Sequence, residues 1–449
     1  MPIEYSPSFV ESAWALRPGV AIKGAILGAG LGRRLDPLTA NHLPKPMFPL
    51  GGKVPIAEVW IRRMVESGLS DVSLNICVLK ETVKRYFGNG SKFGISLGFV
   101  EEDFPSGTLG GVCKQVLGAN ARKLQDNERS ITGAPFSGAT VIVPSADIVT
   151  NFGADLLQEM FENHRKRGAA VSMVVTPIPR ERRGDFGTVM IDQVEHRRGP
   201  FSAVGRVSGF VEKDPNSPSV LNNASIYMIE ADLLKALDRL RTTTNEATGP
   251  FYDFGRHVFP ALLGRLPYVS LPKTEYPIWA VQYDGGWFDV GNKMDYLRVN
   301  GEVLDGRIKV PLAYESLPWG SLGTNVSIDF GRVNIRAPVV IGNDCVVEPG
   351  ATIGPYAILG DGWLIEKGAH VSHSVLWERY PLFPHDAPEI SVNDRRQVDR
   401  HEVRAVTVRD SIIAGGSIKA DTIGKTVQVL EDGTLEIMPI DYVPSDPRA

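Results

Sequence analysis

The first 300 residues alternate between two hydrophobic patterns. Short apolar runs rich in β-branched residues predict buried strands, and apolar residues three or four positions apart predict amphipathic helices between them. The predicted strands are 21–28, 71–79, 95–102, 139–147 and 169–178, and the predicted helices are 56–68, 81–90 and 154–168. This alternation predicts an α/β domain whose mostly parallel sheet binds ligands at the carboxyl ends of its strands.

The last third of the chain follows a different period. Aliphatic residues recur every sixth position over 341–371, and the same spacing resumes over 406–418. The residues in this register are Ile341, Val347, Ile353, Leu359, Ile365, Val371, Val406, Ile412 and Ile418. Such a hexad predicts a parallel β-helix of about three coils, in which each apolar residue points inward and stacks on the coil below.

These patterns divide the chain into four parts. We predict an N-terminal extension over 1–20, an α/β domain over 21–300, a linker over 301–325 and the β-helix over 326–449. Prolines and charges interrupt the hexads over 377–404, which we interpret as a loop insertion. Because the open end of a β-helix exposes strand edges that must be covered, we also predict a homo-oligomer.

Composition excludes several classes of function. The net charge of −4 and the sequence pI near 6.1 argue against nucleic-acid or anionic-membrane partners. Three widely separated cysteines predict neither a disulfide framework nor a cysteine-rich metal site. There is no apolar run near the ~20 residues that a membrane span needs, and the first 20 residues lack a signal-peptide pattern. We therefore predict a cytoplasmic protein.

Positive charge is concentrated around a glycine-rich turn. Between residues 23 and 53 the sequence has five cations and one acid, against the slight acidity of the whole chain. The turn LGAGLGRR comprises Leu27, Gly28, Ala29, Gly30, Gly32, Arg33 and Arg34. Glycines let backbone N–H groups approach a phosphate and the cations neutralise it, so this segment predicts a polyphosphate site.

The same segment carries a family resemblance. GAGLGRRLDPLT followed by LPKPMFPLGGKVPI resembles the sugar-1-phosphate nucleotidylyltransferases, and PKPM most resembles their mannose-1-phosphate guanylyltransferase branch. The resemblance implies a Rossmann-like, mostly parallel nucleotidyltransferase domain followed by a short left-handed parallel β-helix. It further implies that a sugar-1-phosphate, mannose-1-phosphate in that branch, and a nucleoside triphosphate react to give a nucleotide sugar and pyrophosphate.

That reaction makes simple chemical demands. The sugar-phosphate oxygen that attacks the α-phosphorus is already mostly ionised at pH 7, because a phosphate monoester has a second pKa near ~6. Catalysis then consists of aligning two polyanions and stabilising the charge on the phosphoryl oxygens. Arginine, lysine and Mg²⁺ meet that need, and Mg²⁺ itself requires one or two carboxylates.

The resemblance assigns roles to particular residues. Arg34 and Lys45 match the catalytic cations, with Arg34 on the triphosphate, and Asp147 and Asp289 match the Mg²⁺ ligands. The implied nucleotide-binding residues are Leu27, Gly28, Ala29, Gly30, Gly32, Arg33, Glu102, Gly107 and Thr108. The implied sugar-phosphate residues are Gly187, Glu212, Lys213 and Asn223.

Some positions bear on specificity. Arg33 stands where the family usually has threonine, and Ser225 stands where it usually has glycine. A carboxylate only accepts hydrogen bonds, so Glu101 or Glu102 would pair with guanine N1–H and N2–H₂ and favour GTP.

Three alternatives stay open. One is a glucose-1-phosphate enzyme that uses UTP, dTTP or ATP. Another is a bifunctional enzyme whose β-helix transfers acyl groups with His370 or His373 as base. The third is a non-catalytic regulatory subunit, although Arg34, Lys45, Asp147 and Asp289 are all present.

Overall fold

A large sheet organises the first two thirds of the protein. The computed structural model describes residues 22–41, 43–118, 139–197, 199, 201–243, 251–266, 269, 271, 276–312, 314–378, 402–414, 416–429 and 435–441. The predicted extension 1–20 and residues 379–401 of the predicted insertion lie outside them. Strands up to residue 289 are β1 (Ile22–Leu27), β2 (Pro49–Leu50), β3 (Val54–Pro55), β4 (Asp71–Ile76), β5 (Ser96–Glu101), β6 (Thr140–Pro144), β7 (Ile148–Thr150), β8 (Val171–Pro177), β9 (Gly187–His196), β10 (Ala203–Glu212), β11 (Leu221–Glu230), β12 (Ile278–Gln282) and β13 (Trp287–Asp289).

The strand order within the described residues is β5-β4-β1-β6-β11-β8-β12-β10-β9. Strands β1, β4, β5 and β6 are parallel, as are β8 and β12, whereas β10 and β11 run antiparallel to their neighbours. The mostly parallel sheet predicted from the sequence is therefore confirmed. All five predicted strands belong to it.

Helices cover the sheet, and buried side chains lie against both of its faces. The helices are α1 (Leu38–Asn41), α2 (Ile56–Glu66), α3 (Lys80–Phe87), α4 (Gly107–Leu117), α5 (Ala154–Lys166), α6 (Ala231–Thr243), α7 (Phe259–Leu262) and α8 (Lys293–Leu304). A single π-helical turn at Phe254–Val258 precedes α7 within the described part of the chain. Helix α4 begins at Gly107, one of the residues predicted to bind the nucleotide.

The C-terminal strands form three stacked parallel sheets with antiparallel strands at the ends of one, as a parallel β-helix requires. The first sheet contains β14 (Glu315–Leu317), β15 (Gly320–Leu322), β18 (Val339–Ile341), β21 (Ala357–Leu359), β24 (Ser374–Leu376), β27 (Ile412–Ala414), β30 (Lys425–Val429) and β31 (Leu435–Pro439). The second contains β16 (Ser327–Ile328), β19 (Val346–Val347), β22 (Leu364–Ile365), β25 (Glu402–Val403) and β28 (Ser417–Ile418). The third contains β17 (Asn334–Ile335), β20 (Thr352–Ile353), β23 (His370–Ser372), β26 (Thr407–Arg409) and β29 (Thr422–Ile423).

The hexad register holds up to Val371 and then shortens. Inward residues Ile341, Val347, Ile353, Leu359, Ile365 and Val371 share one core, as predicted. Beyond the insertion, however, Val408 pairs with Val371 and Ile413 pairs with Leu376. The prediction of Ile412 as an inward residue is therefore wrong, because these later segments are one residue shorter than a hexad. Ile418 does belong to the β-helix core, and Val406 packs partly against it.

The β-helix docks on the α/β domain through the outward side of its first sheet. Successive strand residues face opposite sides, so Val340, Ile358, Val375 and Ile412 belong to the core of the α/β domain. Phe48 packs edge-to-face on Trp377 at 4.9 Å, and the indole of Trp377 donates to the Tyr296 hydroxyl at 2.9 Å. The segment that follows Lys45 is thereby seated directly on the β-helix.

The predicted linker 301–325 contains regular secondary structure. Helix α8 continues to Leu304, and Gly320–Leu322 pairs with Val339–Ile341 as part of the β-helix sheet. The hexad criterion missed these residues because they precede the first regular repeat.

Candidate active site

The glycine-rich turn lies at the carboxyl end of β1. Gly28 donates its N–H to the Asn75 side chain at 2.7 Å, and a β-carbon on Gly28 would lie 2.9 Å from the Asn75 carbonyl oxygen. A β-carbon on Gly30 would instead meet open space. The turn therefore uses one glycine for close packing and presents another to a cavity of about 250 Å³. We call it the glycine-loop cavity; it is lined by Leu27, Gly28, Ala29, Gly30, Lys45, Pro46, Asn75, Glu102, Pro105, Ser106, Gly107, Thr108, Ser145, Ala146, Asp147 and Asp253.

The other wall of this cavity is the start of α4. Gly107 has a φ of +77°, and a β-carbon there would lie 2.4 Å from the Tyr252 carbonyl oxygen, so the position requires glycine. The free N–H groups and positive dipole end of a helix N-terminus attract anions. Gly107 and Thr108, which were predicted to bind the nucleotide, line the same cavity as the glycine turn.

Glu102 has a different role from the predicted one. Its side chain is 0% exposed, and it accepts hydrogen bonds from Asn75 Nδ2 at 2.7 Å and from the Ser106 backbone N–H at 2.7 Å. Lys114 Nζ adds a contact at 3.3 Å. Burial opposes ionisation, but the hydrogen bonds from Ser106 and Asn75 outweigh it and hold the pKa of Glu102 below its usual range. The carboxylate fixes the loop and is not available to read guanine.

Glu102→Gln should raise the KM for the triphosphate about 10-fold, since the amide replaces an acceptor that faces Ser106 and Lys114. The kcat should change less than about threefold, because Lys45 and the aspartates are untouched. Steady-state kinetics with varied triphosphate measure both. Glu101→Gln is the matched control, because Glu101 is exposed and pairs with Lys84. Equal effects of the two variants would contradict the role of Glu102.

Lys45 lies between the two predicted metal ligands. Its Nζ atom is 2.6 Å from Asp147 Oδ2 and 3.8 Å from Asp289 Oδ1, and its side chain is 11% exposed. Asp147 follows β6, and Asp289 ends β13, which pairs antiparallel with β7 so that Asp289 lies opposite Ile148. A backbone hydrogen bond from Val290 to Asp147 completes this junction. The β7–β13 pair is therefore what brings the two distant aspartates together.

The pKa values of the two carboxylates are shifted in opposite directions. Burial raises the pKa of Asp147, but the Lys45 ammonium and the Ser145 hydroxyl outweigh it, so its pKa lies below the usual range. Burial, followed by repulsion from Asp147, raises the pKa of Asp289 to about 6 despite the nearby Lys45 and Arg34. The nearby cations therefore do not fully compensate the buried charge of Asp289.

This arrangement fits a divalent cation. Asp289 Oδ1 is buried, and it has no hydrogen-bond partner among the described residues. Nor does that part of the chain contain a cluster of three or more His, Cys, Asp or Glu side chains that could hold a metal by itself. Two carboxylates with an open oxygen suit Mg²⁺, which uses one or two protein carboxylates and completes its shell with substrate phosphates and water.

A second cavity, of about 460 Å³, adjoins the first at Thr108 and Asp253. We call it the Glu212 cavity. Its lining includes all four predicted sugar-phosphate residues, Gly187, Glu212, Lys213 and Asn223, together with Arg34, Asp289, Arg182, Asn222, Ser225 and Tyr227. Burial, then the charge of Asp253, raises the pKa of Glu212.

Three predicted residues lie elsewhere than expected. Arg34 lines the Glu212 cavity beside Asp289, and not the glycine-loop cavity where the triphosphate had been expected. Gly32 and Arg33 line neither cavity; Gly32 has a φ of +68° and makes the turn that starts the short 3-10 helix Arg33–Leu35. A short helical turn separates neighbouring side chains, which a linear motif does not reveal.

Sequence reasoning missed Asn75 and Asp253. Asn75 joins the turn to Glu102, and a buried asparagine next to the carboxyl end of β4 was its available signal. Asp253 accepts from Arg256 N–H at 2.9 Å and from Thr108 Oγ1 at 3.3 Å, which links the two cavities. No local pattern marks Asp253, because its partner Thr108 is far away in the chain.

Comparison with known proteins agrees with this geometry. The model of a family described as nucleotidyl transferase matches residues 23–306, which is more than half of the chain. The chain belongs to the nucleotidyl transferase family. The matched range contains both cavities and the Lys45 junction.

Curated relatives extend the match into the β-helix. A UTP–glucose-1-phosphate uridylyltransferase from Synechocystis is 27% identical over 369 residues, 81% of this chain and 84% of that protein. A mannose-1-phosphate guanylyltransferase from Mycobacterium tuberculosis is 28% identical over 358 residues, 80% of this chain and 83% of that protein. The zebrafish (Danio rerio) mannose-1-phosphate guanylyltransferase catalytic subunit beta is 29% identical over 364 residues, 79% and 84% respectively. The predicted resemblance to sugar-1-phosphate nucleotidylyltransferases is confirmed, and with it the class of enzyme.

The described helices also bear on the membrane. None of them is both long and apolar enough to cross a bilayer.

Proposed function

We propose that this nucleotidyltransferase transfers GMP from GTP to mannose-1-phosphate in an Mg²⁺-dependent reaction. An oxygen of the sugar phosphate bonds to the α-phosphorus, the bond from that phosphorus to the β-bridging oxygen breaks, and pyrophosphate leaves with the electron pair. The observation that carries the proposal is the position of Lys45, which lies between Asp147 and Asp289 where the two cavities meet.

The protein groups divide the work between the cavities. The backbone of Ala29 and Gly30 and the start of α4 line the cavity that would take the triphosphate, which suits an anion held in a glycine-rich turn. Lys45 offsets charge on the transferring phosphoryl group, and Arg34 neutralises the sugar phosphate from the Glu212 cavity. Asp147 and Asp289 would hold Mg²⁺, which supplies further charge neutralisation at the phosphoryl oxygens.

No general base is needed in this scheme. The attacking phosphate oxygen is already ionised near neutral pH, so alignment and electrostatic stabilisation carry the reaction. The residues where the two cavities meet are consistent with this scheme. They are a lysine and two aspartates whose pKa values are shifted in opposite directions, and they do not include an acid–base pair around a hydroxyl nucleophile.

Support for mannose and GTP comes from the PKPM motif and from the relatives in Mycobacterium tuberculosis and zebrafish, whose names state that reaction. A second candidate is glucose-1-phosphate with UTP, which the Synechocystis relative favours. Because Glu102 is buried and engaged by other groups, it no longer supports guanine as the base, and recognition of the base depends on the backbone at the start of α4.

The test is a matrix of five triphosphates, GTP, UTP, dTTP, ATP and CTP, against mannose-, glucose- and N-acetylglucosamine-1-phosphate, read by pyrophosphate release with and without a chelator. The proposal expects the highest kcat/KM for GTP with mannose-1-phosphate and no release when Mg²⁺ is chelated. A higher value for UTP with glucose-1-phosphate supports the second candidate. If no pair of substrates releases pyrophosphate, the protein is a non-catalytic regulatory subunit. Release in the presence of the chelator would contradict the Mg²⁺ dependence.

A further inference from the structure

The backbone of Ser225 is in a conformation that serine rarely adopts. Its φ is +56°, in the left-handed region that glycine occupies without strain. Ser225 lies in a bulge of β11, where Asn223 pairs with Val175 and Tyr227 pairs with Met173. The four-residue stretch from Asn223 to Tyr227 on β11 therefore lies opposite a two-residue stretch on β8, so that two residues of β11 have no partner in the strand pairing.

Several hydrogen bonds hold this bulge without using the Ser225 side chain. The Ser225 N–H donates to Asn223 Oδ1 at 3.2 Å, and its carbonyl accepts from the Ser145 N–H at 3.0 Å. The indole of Trp287 donates to the Ala224 carbonyl at 3.0 Å. Any residue, glycine included, would keep these bonds, so the shape of the bulge does not explain a serine.

The Ser225 side chain adds to the polar floor of the Glu212 cavity. Tyr227 lines the same cavity, and its hydroxyl accepts from Asn223 Nδ2 at 2.7 Å. Asn222 lines the same cavity, is fully buried, and has no partner for either amide atom within the described residues. An unpaired buried amide next to hydroxyl groups is suited to binding the hydroxyls of a sugar.

Strained residues that the fold does not require point to function. We propose that Ser225 is a specificity-determining residue: its β-carbon and hydroxyl narrow the floor of the Glu212 cavity, so that an unsubstituted hexose-1-phosphate fits and an N-acetylhexosamine-1-phosphate is rejected. The inference rests on the proposed binding of the sugar phosphate in this cavity. A glycine would relieve the backbone and open the floor by two heavy atoms.

Three variants separate the contributions. Ser225→Gly removes both strain and bulk, and Ser225→Ala keeps the β-carbon and loses the hydroxyl. Gln193→Gly is the matched control, because Gln193 also has a left-handed φ, of +51°, yet is exposed in β9 and lines neither cavity. Both glycine variants should keep or raise the Tm, by roughly 1–3 °C, because each relieves the same kind of strain.

The decisive measurement is the ratio of kcat/KM for N-acetylglucosamine-1-phosphate to that for the best hexose-1-phosphate, with whichever triphosphate reacts best. Ser225→Gly should raise this ratio about 10-fold, Ser225→Ala by about threefold or less, and Gln193→Gly not at all, since small changes in a pocket discriminate by that order. The KM for the triphosphate should stay constant in all three.

Calorimetric binding of the same sugar phosphates gives an independent reading without turnover. If no sugar phosphate reacts but Ser225→Gly binds the N-acetyl sugar more tightly than wild type does, the proposed function fails and this inference stands. If the kcat/KM ratio and the binding are the same in wild type and Ser225→Gly, the inference is wrong and the proposed function is unaffected. A fall in Tm for Ser225→Gly would also overturn it, since the strain would then be absent.

Discussion

Replacing Lys45 by methionine should lower kcat for pyrophosphate release roughly 10³-fold. Methionine keeps much of the apolar stem and removes the ammonium that lies 2.6 Å from Asp147 and 3.8 Å from Asp289. Removing one preorganised charge from a water-poor site costs about 10²–10³ in rate, and here it also leaves two carboxylates to repel the incoming phosphates. Single-turnover and steady-state assays at saturating substrates measure the loss.

Lys53→Met is the matched control for this experiment. Lys53 belongs to the same segment but pairs with Asp361 of the β-helix at 3.0 Å, away from both cavities. Its kcat should change less than about threefold, because this ion pair does not touch either cavity. If the Lys45→Met enzyme stays folded by circular dichroism and retains a tenth of the wild-type kcat, Lys45 does not have the catalytic role proposed for it.

Asp289→Asn should abolish most activity and yet stabilise the metal-free protein at pH 7.5. The folded pKa of Asp289 is raised to about 6, first by burial and then by Asp147, so the folded protein binds more protons than the unfolded chain between about pH 4 and 6. This group therefore lowers stability as pH rises through that window. Asparagine removes a penalty of about 3 kcal/mol well above pH 6, and the gain vanishes below about pH 4.

Loss of the carboxylate should also cost function. We expect kcat to fall about 10²–10³-fold and the Mg²⁺-induced rise in Tm to disappear, because a neutral amide is a poor ligand for a hard cation. Thermal unfolding at pH 4 and pH 7.5, with and without Mg²⁺, tests both statements. Asp284→Asn is the control: Asp284 is exposed, accepts from Gln282, and should change neither the Tm nor kcat appreciably. A metal-free Asp289→Asn protein less stable than wild type at pH 7.5 would contradict the electrostatic argument.

The β-helix packs against the segment that follows Lys45. Phe48, three residues after Lys45, packs on Trp377, and the Tyr296 hydroxyl donates to the Pro49 carbonyl at 2.6 Å. The first sheet of the β-helix therefore supports the segment that carries the central cation. Phe48, in the same short segment as Lys45, is thus held in place by Trp377 from the last third of the chain.

Particular elements explain where sequence reasoning succeeded. The strand before Gly28 and the helix 56–68 were predictable because their hydrophobic periods arise from burial on one or two faces, which is a local property. The hexads to Val371 were predictable for the same reason. Beyond the insertion the period changed by one residue, and a fixed period could not follow it.

The candidate site shows a similar division. Gly28 was predicted from the glycine-rich turn and Gly107 from the family resemblance, and at both positions the close approach of other atoms leaves no room for a side chain. Glu102 was assigned to the base because its chemistry permits that role. Its actual partners, Asn75 and Ser106, come from another strand and from the start of α4.

By itself, the sequence determined the α/β alternation, the coiled aliphatic core and the set of charged and glycine residues available for phosphate chemistry, because side-chain type and short-range period encode them. Only the tertiary structure decided that Asp147 and Asp289 face one ammonium, that Arg34 belongs to the Glu212 cavity, and that Glu102 is already occupied. The physical reason is that hydrogen bonds, desolvation and charge pairing depend on distances between residues far apart in the chain.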